Sequence, residues 1–191
     1  MTSPTKSISV LIPNYDWDVS TLIKSLHKQL VHAGVPFEIL CFDDCANSIH
    51  RAKNETVNAL ENVRYTVNAN SYGRSKNRNE LAYASCKNYL LFLDGDAGIE
   101  KNETFIANFL ASAEPNQVVC GGTAYESVAP TDTRFLLRYL YGKKREEKAA
   151  SIRQLEPWNG FSAFNFLTPR NIFLELKFDE NLSEYGHEDT I

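Results

Sequence analysis

Through the first two thirds of the chain, short apolar runs alternate with amphipathic stretches, the pattern of βαβ units built on a mainly parallel sheet. Residues 8–12 predict a first strand, stopped by Pro13. The next stretch sets Val19, Leu22, Ile23, Leu26 and Leu30 along one helical face, with Asp18 as N-cap and Gly34 at the C-terminal cap. A second strand is expected over 37–42. A partly periodic helical stretch holding Ile49, Ala52, Val57 and Leu60 then leads to a third strand over 63–67.

A polar loop, 68–74, precedes a helix over about 75–85, and the unbroken apolar run 89–93 reads as a strand buried on both faces. Asp94-Gly95-Asp96-Ala97-Gly98 follows. A helix starting near Asn102 carries Phe105, Ile106, Phe109 and Leu110, and a short strand is expected over 118–120. Beyond Gly121-Gly122 the alternation ends. An aromatic helix around 135–141, charged residues to about Arg153 and an aromatic segment over 158–166 make up the rest. The expected fold class is therefore α/β, with a mainly parallel central sheet and helices on both faces.

With 191 residues, 43% of them hydrophobic, the chain has material for one domain with a substantial core. Its apolar runs fall far short of the roughly 20 residues that span a bilayer. Residues 1–7 are polar and lack the apolar stretch of a secretory signal, so a cytoplasmic location is the default expectation. The cysteines at 41, 45, 86 and 120 have no metal-ligand spacing and read as reduced thiols. A net charge of −4 argues against nucleic acid as a partner. One basic cluster, Lys143-Lys144-Arg145, is followed at once by Glu146-Glu147. It reads either as a solvated helix face or as a loop or helix end that approaches an anionic acceptor or a membrane surface.

Ligands of open parallel sheets bind beyond the carboxyl ends of the strands, and two strands here end in acids: Asp43-Asp44 after the second, Asp94 and Asp96 after the fourth. Neighbouring acids repel unless a cation or hydrogen-bond donors stand between them. A nucleotide with a divalent cation meets that need. Gly95 is assigned a tight turn. A hairpin reading of Asp-Gly conflicts with the unbroken apolar run before it. An EF-hand reading fails because Phe105 occupies the place of the bidentate Glu. For Asp43-Asp44, helix capping remains an equal alternative.

These segments resemble the inverting glycosyltransferases of family 2, whose nucleotide-binding fold is called GT-A. Residues 9–15, Ser-Val-Leu-Ile-Pro-Asn-Tyr, are similar to that family's first strand and turn, and residues 38–44 to its second. Asn70, Gly73, Arg74, Ser75, Arg78 and Asn79 resemble its helix start, residues 92–96 its DxD motif, and 178–180 with 186–190 its closing segment. The resemblance covers nearly the whole chain. It implies a single GT-A-like domain over 1–191, with a nucleotide-binding half (1–122) and an acceptor-side half (123–191). It also implies further acceptor-side structure where the sequence stops at Ile191.

The resemblance implies roles as well. Pro13 and Tyr15 would border base and ribose, Asp44 would accept a hydrogen bond from the base with Asp43 beside it, Asp94 would lie at the ribose, and Asp96 would hold Mn²⁺ or Mg²⁺ on the diphosphate. Arg78 would line the same donor site. Asp189 would deprotonate the acceptor, with Glu188 next to it, and His187 is a candidate donor to a phosphate or metal ligand. Cys45 and Ala97 depart from the family pattern, which often has Gly and a further acid there. The expected partners are a nucleoside diphosphate sugar, first of all a UDP-sugar, and a saccharide or lipid-linked saccharide acceptor, with peripheral membrane contact included. Two other functions stay in view: a catalytically degenerate binding module, and a sugar nucleotidyltransferase. The latter lacks its glycine-rich basic loop after strand one.

Overall fold

The computed structural model describes residues 6–157 and 161–182. They fall into two compact units, 1–119 with 163–191, and 120–162. The first holds the sheet: β1 (Ile8–Asn14), α1 (Ser20–Ala33), β2 (Phe37–Asp43), α2 (Arg51–Asn54), a 3-10 turn (Glu55–Ala59), β3 (Val63–Val67), α3 (Arg74–Ala84), β4 (Tyr89–Leu93) and α4 (Phe105–Ser112). β5 (Val119–Cys120) stands at the boundary. After α5 (Leu136–Arg145) and α6 (Ala150–Arg153), the chain adds β6 (Asn165–Pro169) and α7 (Arg170–Leu176). Residues after 122 thus divide between the two units.

The six strands are ordered β3-β2-β1-β4-β6-β5. β1, β2, β3 and β4 run parallel, and β6 pairs antiparallel with β4. β4 is buried at every position, and so is β6. The chain first moves outward, β1 to β2 to β3, then returns to the other side of β1 as β4. Right-handed crossovers in opposite directions place their helices on opposite faces, and accordingly α1 packs with α4 while α3 packs with α7.

β1 runs through Pro13 instead of stopping there, for a geometric reason. The amide of Ile8 donates to Pro36 and the carbonyl of Asn14 accepts from Asp44, so even-numbered residues bond toward β2. Ser7 accepts from Tyr89 on the β4 side, so odd-numbered residues face β4. Pairing with β4 ends at Leu11 opposite Phe92. The missing amide of Pro13 points where no partner strand remains, and the proline costs the ladder nothing.

α1 forms as its periodicity predicts, burying Leu22, Ile23, Leu26 and Leu30 and ending at Gly34 with φ of 64°. Each of those side chains contributes roughly 1.5–3 kcal/mol by leaving water. The N-cap is Val19, whose amide is taken by Asn54, while Asp18 accepts from the amide and hydroxyl of Ser20. The helical stretch after β2 is shorter than its apolar pattern suggests: Ile49 is exposed and only Asn54 and Val57 are buried. β6 and α7 carry no periodic signature and were not expected. β6 is held by Phe166 stacked on Phe92 at 4.8 Å. Among the described residues no helix is long and apolar enough to cross a membrane.

In the unit 120–162, α5 is built against Tyr125. The ring lies in the notch at Gly142, where a Cβ would come within 2.0 Å of it. Its hydroxyl donates to Glu146, which also receives Arg138, and Glu147 receives Lys143 and the Tyr125 amide.

Candidate functional site

The order β2-β1-β4 makes the gap between β1 and β4 the topological switch point, where an open sheet offers a crevice beyond its strand ends. Four of the sequence-selected residues converge around β1's carboxyl end: Asp43 and Asp44 on the β2 side, Asp94 and Asp96 on the β4 side. The two pairs are in opposite states.

The Asp43 carboxylate is fully buried and accepts four hydrogen bonds, from Asn14 Nδ2 (2.8 Å), the Tyr65 hydroxyl (2.8 Å), and the amides of Asp16 and Cys45 (both 3.1 Å). Asp44, 6% exposed, also accepts four: Asn68 Nδ2 (3.0 Å), the Ser71 hydroxyl (2.9 Å), and the amides of Tyr72 (2.7 Å) and Gly73 (2.8 Å). A carboxylate offers about four lone-pair sites, and here both carboxylates have theirs occupied by the chain. A hydrogen bond from a base to Asp44 would share these oxygens with the chain's own donors, through which Asp44 folds the 68–73 loop onto the start of α3. Asp43 fixes the turn after β1, where Asp16 takes φ of 49° and the side chains of Tyr15 and Trp17 stand exposed. Pro13 lies half-buried beneath that turn.

Asp94 and Asp96 are open. Asp94 receives Arg78 Nη2 at 2.8 Å, and its backbone amide donates to Phe164. Burial pushes its carboxyl above the usual range, with the Arg78 cation opposing that rise. Asp96 is exposed. Arg78 itself is 4% exposed and lies over the Phe178 ring at 5.7 Å, so a buried cation braces the first acid of the pair.

Gly95 sits in the expected tight turn, closed by the Ala97 amide on the Asp94 carbonyl at 3.1 Å, but it is contact and not backbone angle that requires a glycine there. Its φ is outside the left-handed region, where the glycines are Gly34 and Gly73. A Cβ at 95 would meet Asn14 Oδ1 at 2.5 Å and Val19 Cγ1 at 3.0 Å. Asn14 cannot step aside freely, because its Nδ2 holds both Asp43 and the Trp17 carbonyl. Asn14 thus joins the two acid pairs, a role that sequence reading missed although the residue sits inside the quoted Pro-Asn-Tyr.

The buried face of α3 is polar. Asn77 bonds to Phe42 and Asn68, and Asn79 accepts from the Phe178 amide and donates to the Phe178 carbonyl and Glu180 Oε1. Asn79 thereby anchors the closing segment to the helix that carries Arg78. His187, Glu188 and Asp189 lie outside the described residues, as do Trp158, Asn159 and Gly160.

Among the described residues no three metal-ligating side chains converge. Two carboxylates fit a hard cation nonetheless, since Mg²⁺ and its like keep several waters and add phosphate oxygens to one or two acids. The profile described as "Glycosyl transferase family 2" matches residues 9–176. The chain belongs to that family. Curated proteins give no match to it. Among solved structures, *S. aureus* TarS 1-349 is similar at 18% identity with a TM-score of 0.56, covering 96% of this chain and 52% of that one. TarS 1-349 in complex with UDP-GlcNAc gives 18% and 0.57, covering 91% and 48%, and its complex with UDP gives 17% and 0.56, covering 96% and 52%. This family 2 chain spans about half the length of those it matches, and it shares their GT-A fold.

Proposed function

We propose that the chain transfers a sugar, with inversion, from a UDP-sugar to a hydroxyl of a saccharide or lipid-linked saccharide, using Mn²⁺ or Mg²⁺ at Asp96. The observation that carries this reading is the open Asp94/Asp96 pair at the switch point, beside a second acid pair whose acceptors are all filled. Family membership and the two TarS complexes with UDP-GlcNAc and UDP support the donor class. The reading includes a cytoplasmic location, at the inner membrane face when the acceptor is lipid-linked.

Bound there, a divalent cation would neutralise the charge that builds on a departing diphosphate. Everything else falls to the chain. Arg78 holds Asp94 in place and opposes the rise that burial gives its carboxyl, so that it can accept from the ribose. Tyr15, on a turn strapped by Asp43, covers the base with Pro13. Asp44 keeps the 68–73 loop closed over the start of α3. Asp189 takes the acceptor proton with Glu188 beside it, and His187 serves the diphosphate or its metal.

Calorimetry of UDP binding with and without Mn²⁺ tests the reading. The wild type should bind in a metal-dependent way, and Asp96→Asn should weaken that binding by about 10-fold or more, the usual range for losing metal-site groups. Metal-independent binding, or an unaffected variant, removes the assignment. In the same samples Asp189→Asn should keep donor affinity and lose roughly 10²–10⁴ in kcat, as expected when a general base is removed.

A further inference from the structure

The exposed face of α5 is unlike the rest of the surface. Fifteen large apolar side chains are exposed among the described residues, and seven of them lie in the unit 120–162: Val128, Phe135, Leu137, Leu140, Tyr141, Ile152 and Leu155. Leu137 (79% exposed), Leu140 (54%) and Tyr141 (57%) recur at three- and four-residue spacing, which puts them on one side of the helix with Lys144. The opposite side is the one used by the fold, through Tyr139, Gly142, Lys143 and Glu146. The apolar stripe is therefore not core packing.

Charge separates along the same boundary. Residues 120–162 carry seven Lys/Arg against five Asp/Glu, net +2, whereas the rest of the chain carries 13 against 19, net −6. Three acids beside α5 are already paired, Asp132 with Arg134, Glu146 with Arg138 and Glu147 with Lys143. Lys143 is thereby removed from the basic cluster that the sequence shows. Lys144, Arg145 and Lys148 are exposed at the end of the stripe and form no ion pair among the described residues.

We propose that the outer face of α5 docks on an anionic lipid surface, with Leu137, Leu140 and Tyr141 entering the headgroup boundary and Lys144, Arg145 and Lys148 meeting lipid phosphates. An amphipathic helix with an apolar face edged by Lys and Arg lies in the membrane interface in this way, its long cationic side chains reaching back to the headgroups. A second copy of the chain suits the face poorly, because the three acids nearest to it are committed and leave these cations without counter-charges. Docking here uses none of the residues given a part in donor binding or transfer, so its failure would leave the proposed transfer reaction standing.

The test is sedimentation of the protein with phosphatidylcholine vesicles, with and without phosphatidylglycerol. Binding is expected only to the anionic vesicles and should fall in high salt, where screening shortens to about 3 Å. The Lys144→Gln/Arg145→Gln/Lys148→Gln variant should lose on the order of 100-fold in partitioning, since each cation near such a surface contributes about fivefold. Leu137→Ser/Leu140→Ser should abolish binding with all charges retained, which separates docking from plain electrostatic adsorption. All five positions are exposed, and unchanged circular dichroism and melting confirm that the variants fold. No binding to anionic vesicles, equal binding to neutral ones, or wild-type binding by the double Ser variant overturns the proposal. So does a concentration-dependent dimer that the double Ser variant abolishes, which would assign the face to a second copy.

Discussion

The two aspartate pairs at the sheet's carboxyl edge look alike in sequence and differ in what surrounds them. Asp43 and Asp44 each receive four hydrogen bonds from the chain, whereas Asp94 receives one side-chain partner and Asp96 stands in solvent. An acid whose lone pairs are filled by its own protein builds structure, and one whose lone pairs are open is available to a ligand. The first pair orders the loops around β1's carboxyl end, and Asp96 of the second stands exposed beside them. The contrast follows from what reaches them: donors from residues 14, 16, 45, 65, 68 and 71–73 converge on β2's end, while at the β4 end Gly95 lies against Asn14 and Arg78 reaches Asp94.

The sharpest way to break this comparison is to neutralise one member of each pair. Asp43→Asn presents amide hydrogens to donors that are themselves buried, with loss of charge-assisted bonds worth about 1.5–3 kcal/mol each in part compensated by relaxation. We expect destabilisation of about 3–4 kcal/mol, a drop in Tm of about 10 °C for a domain this size. Asp96→Asn should leave stability within about 0.5 kcal/mol, as surface substitutions usually do. Urea denaturation of both variants decides it: equal stability losses would mean that hydrogen-bond occupancy does not separate the pairs.

Much of the sheet was legible because its strands are short apolar-rich runs between amphipathic helices, β4 being an unbroken one buried at every position. β3 and β4 fall where expected, and β1 and β2 end later than predicted, β1 by two residues and β2 by one. β6 was not legible. It is five residues long, begins with Asn165 and ends with Pro169, and its burial depends on pairing with β4 and on the Phe92–Phe166 stack, neither of which leaves a local signature. The site was legible only as a grouping. The acids after strands do gather at one edge of the sheet, but whether a carboxylate is satisfied depends on donors up to 29 residues away in the chain. Periodicity does not register those.

Gly95→Ala sharpens the comparison at its hinge. The added methyl would displace the Asn14 amide, which carries one of the four bonds to Asp43, so a change in the open pair's loop should be felt by the sealed pair. Overpacking of this kind costs about 1–3 kcal/mol. Double substitution with Asn14→Ser, which makes room, should recover part of the loss. If Gly95→Ala is as stable as wild type, the two acid pairs are not mechanically joined through Asn14.

The smallest expected effect comes from an aspartate that resembles the sealed pair in partners and the open pair in setting. Asp18 accepts from Lys53 at 2.5 Å and from the Ser20 hydroxyl and amide, and these partners, Lys53 foremost and then the Ser20 hydroxyl, lower its carboxyl from 3.8 to about 2. Because the folded value is depressed, ionised Asp18 contributes stability above about pH 4, and that contribution is lost as the pH falls through about 2. The Lys53 side chain is 63% exposed, however, so water and salt screen the pair, and such pairs contribute about 0–1 kcal/mol. Asp18→Asn should therefore lower the urea midpoint only slightly at pH 6 and less at pH 3 or in high salt. A loss matching that of Asp43→Asn would show that the number of partners alone sets the worth of a strand-end acid. A small, salt-sensitive loss means that the same bonds gain their weight only when the carboxylate is sealed from water, which is the condition that separates Asp43 and Asp44 from Asp18.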